Sequence, residues 1–430
     1  MANLNAGNDN ELGKQGHGYS ENGYLDNCYL DNCYLDNNAT TKIDPQVLEV
    51  MMPYLTDYYG NPSSIHQVGS QVGKAIQHAR RQVADLLGAE HDSEIIFTSC
   101  ATEATSTAIL SALEATPERK EIITTEVEHP ATLALCEYLE RKGYTVHWIG
   151  VDKKGRLDMQ AYQAALSDNV AIVSVMWANN ETGTLFPIEK IAKFAKAFGI
   201  QVHVDAVQVT GKIRYRVADT SVDMLSVSAH KFHGPKGVGA LYLRRGTRFR
   251  PLMRGGHQER GRRAGTENAA SIIGMGQACE LAKAAMAEYS TEIQRLRDRL
   301  EQGLLQQISH CFVTGDTQHR VPNTSNIAFE FIEGEALLLL LNQANIATSS
   351  GSACTSGALE PSHVMKAMQI PLTAAHGTLR FSLSKYTTEQ EVDHVLQTLP
   401  TIVSRLRALS PYWDNETQQQ KQDAFEPVYG

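Results

Sequence analysis

The chain has 430 residues, of which 42% are hydrophobic and 20% are charged, with a formal net charge of −9. This composition is typical of a globular protein and excludes collagen-like, coiled-coil and disordered classes for most of the chain, and the length favours two or three domains. The negative charge argues against non-specific binding to nucleic acid, which depends on cationic neutralisation of phosphates.

Neither a membrane span nor a targeting segment is predicted. The longest apolar run, Ala336–Leu341, is far shorter than the roughly 18 residues that a spanning helix needs. The first 23 residues contain one lysine, Lys14, and neither arginine nor an apolar stretch, unlike secretory signals and Arg-rich transit peptides. A cytoplasmic location is therefore expected.

Residues 1–33 are predicted to form a disordered extension. The first 23 are rich in Asn and Gly, and such segments bury too little apolar surface to fold. A five-residue repeat then occurs in three copies, Tyr24–Cys28, Tyr29–Cys33 and Tyr34–Asn38. Its period is too short for a solenoid. Cys28 and Cys33 are considered as metal ligands, but no second Cys or His pair follows nearby, so no metal site is expected.

Seven cysteines are spread over the chain: Cys28, Cys33, Cys100, Cys136, Cys279, Cys311 and Cys354. Their odd number and scattered spacing do not indicate a disulfide framework in a long cytosolic chain. Most are interpreted as small buried hydrophobic residues or incidental thiols.

From Pro45 the sequence alternates between amphipathic and apolar segments. Helices are predicted over Pro45–Tyr54, Val68–Leu87, Glu103–Leu113, Ala131–Lys142 and Ile188–Phe198. Strands are predicted over Ile95–Thr98, Ile122–Thr124, Ala171–Met176, Val202–Val204, Met224–Val227 and Gly239–Leu243. Short apolar strands between helices indicate a largely parallel sheet that is buried on both faces. Residues 34–264 are therefore predicted to form mainly a large α/β domain.

Residues 265–413 are predicted to form a smaller α+β domain. Its helices are expected at Glu267–Ala287, Ser290–His310, Glu335–Asn345 and Thr388–Leu409, and its strands at Asn326–Phe331 and Thr378–Leu383. The segment Tyr34–Thr41 is also compatible with packing on this domain. Residues 414–430 are polar and Gln-rich and are predicted to be a loosely ordered tail.

The strongest chemical signal is the segment from Ser228 to Gly237, which reads Ser-Ala-His-Lys-Phe-His-Gly-Pro-Lys-Gly. A lysine in a loop is usually a solvated charge. Lys231, however, follows an apolar strand at the point where α/β sheets place ligands. A lysine there can form a Schiff base with a cofactor aldehyde and then act as a base.

A second signal is Asp205, which ends the apolar run beginning at His203. A buried carboxylate is costly unless it is paired, and one facing a pyridine nitrogen would keep that nitrogen protonated. Gln208 could donate to the phenolic oxygen of the same ring. The alternative is that Asp205 merely caps a helix.

Three further turns carry weaker signals. Thr98–Glu103 precedes a helix whose N-terminal N–H groups and Thr102 hydroxyl suit a phosphate. His129 lies in the segment Glu128-His129-Pro130, where its imidazole could stack on a flat cofactor ring and transfer a proton. The alternative is an ordinary histidine on the protein surface. Asn180 suits a contact to a ring oxygen, with turn chemistry as the alternative.

Two side chains in the second domain complete the set. Cys354 lies in Ser349–Gly357, a run of small and hydroxyl-bearing residues that predicts an exposed, mobile loop. A thiol there is a nucleophile if its pKa is lowered, and an ordinary flexible loop is the alternative. Arg380 lies in a strand, where its guanidinium could bind a substrate carboxylate in bidentate fashion or form a surface salt bridge.

Together these residues resemble the NifS/IscS family of cysteine desulfurases, which are class-V aminotransferase-like enzymes that use pyridoxal 5′-phosphate. The resemblance extends from about Tyr34 to Trp413. The motifs that carry it are Tyr34–Thr41, Gly60–Ser64, the Asp205 strand, the Lys231 loop, Arg263–Thr266 and the Cys354 loop. It implies fold type I, with a mainly parallel seven-stranded sheet in the large domain and a smaller α+β domain.

The resemblance also implies the role of each residue. Lys231 would be the Schiff-base lysine, Cys354 the nucleophile that carries the persulfide and His129 the stacking catalytic imidazole. Cofactor contacts are implied for Ala101, Thr102, His129, Asn180, Asp205, Gln208, Ser228, His230, Lys231 and Thr266. Arg380 and Asn180 would bind the substrate, L-cysteine. Thr266 would contact the phosphate across a homodimer interface.

The resemblance further implies an iron–sulfur scaffold protein as the sulfur acceptor. The sequence of the segment Ser350–Met365 is more similar to the nitrogen-fixation branch of the family than to its housekeeping branch. The sequence departs from the family at Cys100, which replaces the usual glycine of the phosphate turn, and in its extra N-terminal residues.

Other functions stay open at this point. Selenocysteine lyases and other class-V enzymes use the same cofactor residues, although a plain transaminase has no need of the Cys354 thiol. A catalytically silent binding subunit is an alternative from a different class, and a sulfur-accepting scaffold is a third. Scaffolds need clustered cysteines, whereas Cys354 stands alone.

Overall fold

The structure, a computed structural model, describes residues 32–350, 361–414, 416–417 and 419–421. Its strands are β1 Cys33–Tyr34, β2 Ile95–Thr98, β3 Glu121–Thr125, β4 Thr145–Ile149, β5 Val170–Met176, β6 Gln201–Asp205, β7 Met224–Ser228, β8 Gly239–Leu243, β9 Cys311–Val313, β10 Thr324–Phe329, β11 Ile346–Ala347, β12 Thr378–Ser382, β13 Trp413–Asp414 and β14 Gln419–Gln420. Its α-helices are α1 Pro45–Met51, α2 Pro53–Thr56, α3 Gln67–Leu87, α4 Ala101–Ala115, α5 Pro130–Arg141, α6 Met159–Ala165, α7 Ile188–Lys196, α8 Ala269–Glu288, α9 Gln294–Gln307, α10 Gly334–Gln343, α11 His363–Ala367, α12 Leu372–Ala375 and α13 Glu389–Leu409.

A seven-stranded sheet has the order β2-β8-β7-β6-β5-β3-β4. The pairs within β7-β6-β5-β3-β4 are parallel, whereas β8 is antiparallel to both β2 and β7. Every residue of β5 and β7 is buried, because helices cover both faces of the sheet. The predicted α/β fold with a mainly parallel seven-stranded sheet is therefore confirmed.

The edge strand β4 is not among the predicted strands, because its sequence is not a continuous apolar run. Its sequence, Thr-Val-His-Trp-Ile, is interrupted by His147, whose Nε2 lies 2.9 Å from Oε2 of Glu121 on β3. An edge strand has one neighbour and is partly exposed, so it tolerates polar side chains that a central strand excludes. The central strands, in contrast, begin and end within one or two residues of their predicted bounds.

A second sheet has the order β12-β10-β9 and is antiparallel. Its buried side chains form a separate hydrophobic cluster with residues from α9 and α13, such as Leu300 and Leu399. The helices predicted on either side of Ser290 run into one another through a π-helical turn, Tyr289–Ile293. Within α8, Met275 and Cys279 pack in the core of the large sheet, so the division at residue 265 stays a prediction.

The segment after β1 connects the two sheets. β1 pairs in parallel with β11, and Asp36 forms a bridge with Ser382 at the end of β12. A few residues later, the Thr41 N–H donates to the His230 carbonyl oxygen at 2.9 Å. These contacts place Asn37, Asn38 and Ala39 between the sheets, at the carboxyl end of β7.

None of the helices in the described part of the chain is long and apolar enough to cross a membrane.

Candidate active site

The carboxyl ends of β5, β6 and β7 border a cavity of about 470 Å³. Met176, Asp205 and Ser228, the last residues of these three strands, all line it. Ligand sites in α/β proteins lie at this edge of the sheet because the loops there converge. The predicted site residues that line the cavity are Ala101, Thr102, His129, Asn180, Asp205, Gln208, Ser228, His230, Lys231 and Arg380.

Lys231 ends a single 3₁₀ turn, Ala229–Lys231, that follows β7 directly. Its Nζ donates hydrogen bonds to the carbonyl oxygens of Asn38 at 2.5 Å and Ala39 at 2.9 Å. The amine is thus held at the cavity wall by two backbone acceptors from the connecting segment.

Asp205 is the last residue of β6, and its Oδ1 accepts a hydrogen bond from the Val207 N–H at 2.9 Å. Burial raises the pKa of this carboxyl, and the charge of Lys231 opposes the rise. The carboxyl therefore suits a cationic N–H partner in the cavity, which would stabilise its ionised form.

Asn38 is a site residue that the sequence analysis missed. Its carbonyl oxygen accepts from Lys231 Nζ and from Gln208 Nε2 at 3.0 Å, and its Nδ2 donates to the Asn180 carbonyl oxygen at 3.2 Å. The signal was present in the repeat: the third copy has Asn38 where the first two copies have cysteine.

The N-terminus of α4 forms another wall of the cavity. Its N-cap residue, Cys100, makes no side-chain capping hydrogen bond with the described residues. The first-turn N–H groups of Ala101 and Thr102 therefore suit an anion. Cys100 has φ −171° and ψ 175°, which is extended backbone, so the position that is glycine in the family does not need the left-handed conformation here.

His129 is the N-cap of α5, and its Nδ1 accepts a hydrogen bond from the Ala131 N–H at 3.1 Å. Burial, together with the charges of Lys231 and His363, lowers the pKa of His129 to about 4. The imidazole is therefore neutral near pH 7, with its remaining proton on Nε2, which suits both ring stacking and proton exchange.

Arg380, on β12, reaches the cavity from the second sheet and is only 6% exposed. Its Nη2 lies 2.5 Å from Asp36 Oδ1, and its Nη1 donates to the Asn180 carbonyl oxygen at 3.0 Å. Nε of Arg380 and Oδ1 of Asn180 are buried and have no hydrogen-bond partner among the described residues. The site thus retains an unused cationic donor and an unused amide oxygen.

Cys354 lies outside the described residues, but the chain on both sides of its loop contacts the site. Before the loop, Ser349 exchanges backbone hydrogen bonds with Arg380 at 2.7 and 3.4 Å. After the loop, Ser362 Oγ donates to Glu181 Oε2 at 2.6 Å. Burial raises the pKa of Glu181 to about 7. The segments that lead into and out of the Cys354 loop therefore end beside the proposed substrate anchor.

Thr266 is the one described site residue that the structure does not bring to this cavity. It lines a separate cavity of about 240 Å³ together with Thr98, Glu267 and Asn268. Among residues 32–350 and 361–421, apart from 415 and 418, no group of three His, Cys, Asp or Glu side chains is placed to hold a metal ion.

The profile of the class-V aminotransferase family matches residues 33–395. A protein of Azotobacter vinelandii named cysteine desulfurase NifS is 64% identical over 394 residues, which cover 91% of this chain and 98% of the relative. The chain belongs to the cysteine desulfurases of the class-V aminotransferase family. A cysteine desulfurase of Klebsiella pneumoniae is 64% identical over 393 residues, with the same coverage of both chains.

The fold agrees with that assignment. The solved structure of a NifS-like protein superposes with a TM-score of 0.82 at 39% identity and covers 87% of this chain and all of its own. The family resemblance and the fold predicted from the sequence are thus confirmed.

Below the cavity, His203 is enclosed on β6. Its Nδ1 lies 2.9 Å from Ser174 Oγ and its Nε2 lies 2.7 Å from Ser226 Oγ. Burial lowers the pKa of His203 from 6.5 to about 3. Because unfolding then takes up a proton between these values, His203 stabilises the fold above about pH 6.5, and this contribution is lost as the pH falls.

The His203→Gln variant is expected to lose less stability on acidification than the wild-type protein. Its free energy of unfolding should fall less steeply between pH 6.5 and 5, by up to about 1.4 kcal/mol per pH unit, as measured by denaturant unfolding of the apo-protein. His78→Gln, at an exposed position of α3, is the control and should follow the wild-type slope. An unchanged slope in His203→Gln would contradict the assignment of a neutral His203.

Proposed function

We propose that this protein is a cysteine desulfurase that binds pyridoxal 5′-phosphate, converts L-cysteine to L-alanine and takes the sulfur onto Cys354 as a persulfide. The observation that carries the proposal is the single cavity that holds the Lys231 amine, the Asp205 carboxyl, the His129 imidazole and the Arg380 guanidinium. The membership in the cysteine desulfurases supports the same activity.

The donor set of the cavity fits this cofactor. Asp205 offers a carboxylate for a pyridinium N–H, and Gln208 and Asn180 offer amides for a ring oxygen. Thr102 and the open end of α4 offer donors for the phosphate, as do Ser228 and His230. The buried, unpartnered Oδ1 of Asn180 is a polar atom whose desolvation a ligand would offset.

Bound in this cavity, pyridoxal phosphate supplies an electron sink that stabilises negative charge on the substrate Cα. Lys231 Nζ would hold the cofactor through its aldehyde carbon and would accept the proton from the substrate Cα. His129 Nε2 exchanges protons beside it as a neutral imidazole. Arg380 binds the substrate carboxylate through its unpartnered Nε and so orients the substrate in the cavity.

The Cys354 thiolate attacks the substrate sulfur. An S–S bond forms as the bond between that sulfur and the substrate Cβ breaks, and the electron pair stays with Cβ, which gains a proton. L-cysteine and the Cys354 thiol thus become L-alanine and the Cys354 persulfide, with atoms and electrons in balance.

The proposal is tested by the products formed from L-cysteine. The purified protein, loaded with pyridoxal phosphate and supplied with a thiol reductant, should form alanine and sulfide in equal amounts. Activity with L-selenocysteine alone would favour the selenocysteine lyase alternative. Cofactor binding without either product would favour a silent binding subunit and contradict the proposal.

Replacing Arg380 with methionine is expected to raise the KM for L-cysteine by about 100-fold, because a charged hydrogen-bond pair with the substrate carboxylate is lost, while kcat changes less. Steady-state alanine formation measures both constants. Arg407→Met is the matched control, since Arg407 is similarly buried, donates to the carbonyl oxygens of Glu330 and His310 and does not line the cavity. An equal rise of KM in both variants would argue against substrate binding by Arg380.

We further propose that the protein acts as a homodimer. The segment from α1 to the start of α3 exposes large apolar side chains, among them Leu55, Tyr59 and Ile65, which a second copy would cover. Thr266, placed outside the cavity, would then contact the cofactor phosphate of the partner. Sedimentation of the full chain measures the mass, and a monomer with full activity would contradict this part of the proposal.

The persulfide is proposed to pass to an iron–sulfur scaffold protein in the cytoplasm, for the assembly of nitrogenase clusters. The five described cysteines are all free, which suits a reducing compartment. The similarity to the NifS of Azotobacter vinelandii supports the nitrogen-fixation role. Transfer of radioactive sulfur from Cys354 to a co-purified scaffold would support it, and equal transfer to every acceptor offered would contradict it.

A further inference from the structure

Lys212 is a buried lysine just outside the cavity. It is 3% exposed, and its Nζ donates to Asn38 Oδ1 at 3.1 Å and to Gln208 Oε1 at 3.0 Å. Both acceptors are neutral amide oxygens of side chains that line the cavity. Burying a lysine against neutral partners is unfavourable, because the amine must either keep its charge without water or give up its proton. A gain in folding stability alone therefore does not explain why a lysine lies here.

The local backbone directs Lys212 inward. The chain turns after Asp205, with the Thr210 N–H donating to the Ala206 carbonyl oxygen and the Lys212 N–H to the Val209 carbonyl oxygen, both at 3.0 Å. This turn brings the side chains of Gln208 and Lys212 into contact. Between them, Gly211 has φ +77°, and a Cβ there would lie 3.1 Å from Ala282 Cβ. A glycine is thus needed to bring the lysine to Gln208.

The contact determines which end of the Gln208 amide faces the site. Lys212 Nζ donates to Oε1, and the Asn38 carbonyl oxygen can only accept, so Oε1 points toward Lys212. The NH₂ end then reaches the Asn38 carbonyl oxygen at 3.0 Å and the cavity. This is the orientation that a donor to the cofactor ring oxygen requires.

The same amine orients Asn38. Its Oδ1 accepts from Lys212 and from Asn323 Nδ2 at 3.2 Å, which leaves Nδ2 to donate to Thr324 Oγ1 at 2.8 Å. The Asn38 carbonyl oxygen in turn accepts from Lys231 Nζ. Lys212 is therefore linked through Asn38 to the proposed Schiff-base amine and is bonded directly to Gln208, the proposed ring contact.

We propose that Lys212 is a positioning residue that orients the Gln208 and Asn38 amides for pyridoxal phosphate and thereby tightens cofactor binding. The proposal rests on the proposed function. Burial, together with the charges of Lys231 and Arg380, lowers the pKa of Lys212. A neutral amine still has two N–H groups, one for each amide oxygen, so either protonation state serves this role.

The test is a double-mutant cycle on the affinity of the full-length apo-protein for pyridoxal phosphate, measured by fluorescence titration. Lys212→Met should raise the Kd about tenfold, as expected for the loss of an oriented hydrogen bond. In a Gln208→Leu background the same change should raise it by less than about threefold, because the effect runs largely through Gln208. Lys212→Met should also shift the visible absorbance of the bound cofactor in the direction seen for Gln208→Leu.

The control is Lys196→Met, which removes a lysine on α7 that pairs with Asp223 at 2.5 Å and lines no part of the cavity. It is expected to lower the unfolding midpoint and leave the Kd unchanged. If Lys212→Met does not fold, the cycle is run with Lys212→Gln and interpreted in the same way.

Three results would overturn the inference: an unchanged Kd, additive effects of the two substitutions, or an unchanged cofactor spectrum. If the wild-type protein binds the cofactor and forms alanine while the cycle is additive, this inference alone fails. If the wild-type protein does not bind the cofactor, the proposed function fails instead.

Discussion

Replacing Lys231 with alanine is expected to lower the rate of alanine formation from L-cysteine by about 10³-fold or more, the scale of losing both a covalent anchor and a catalytic base. Lys231 Nζ is held at the cavity wall by the carbonyl oxygens of Asn38 and Ala39, and the proposed mechanism requires it to exchange a proton with the substrate Cα there. A methyl group there can neither anchor the cofactor nor accept that proton.

The loss should occur without unfolding. The side chain is partly exposed to the cavity, and the Asn38 carbonyl oxygen keeps Gln208 Nε2 as a second donor when the amine is removed. The unfolding midpoint should therefore stay close to the wild-type value while the rate of alanine formation falls. Lys190→Ala, which removes an exposed lysine on α7, is the control and should retain full activity. Substantial turnover in Lys231→Ala would mean that another amine serves as the base.

Replacing Cys354 with alanine is expected to stop steady-state sulfide formation, again by about 10³-fold or more, while leaving cofactor binding intact. Four of the five cysteines in the described part of the chain are poor substitutes. Burial raises the pKa of Cys33 and Cys136 to about 12 and that of Cys311 to about 11, and raises that of Cys279 as well. Little thiolate is present on any of these at neutral pH, and the thiolate is the nucleophile.

Among the described residues the rival thiol is Cys100, which lines the cavity and is the N-cap residue of α4. Sulfide formation and the mass of the intact protein after exposure to L-cysteine separate the two candidates. Wild type and Cys311→Ala should gain the mass of one sulfur atom, and Cys354→Ala should not. Persulfide formation that survives in Cys354→Ala and is lost in Cys100→Ala would transfer the role to Cys100.

Most strands of the large sheet can be predicted from the sequence. A strand that is buried on both faces is a continuous apolar run, which is easily recognised. Gly239–Leu243 and Ile95–Thr98 were predicted with the bounds that the structure shows, since both are apolar and bounded by turn residues. The strand β4 cannot be predicted in this way, because its edge position permits the polar residue His147. The short strands β1 and β11 cannot be predicted either, because they are strands only through pairing with each other.

The sequence by itself determined the chemistry of the site. A lysine and a carboxylate at the ends of apolar strands, together with the ordered motifs from Tyr34 to the Cys354 loop, predicted the family, the fold and the residues around the cavity. These features are local: strand periodicity, turn residues and side-chain chemistry all act within a few positions of the chain.

Only the tertiary structure decided which residues meet. The Lys231 amine bonds to a carbonyl 193 positions away in the chain, and Lys212 reaches an amide 174 positions away. Arg380 enters the site from the second sheet, while Thr266 lies in another cavity. Such contacts depend on how two sheets and a connecting segment pack against one another, and a pairing of distant residues leaves no periodic trace in the sequence at either position.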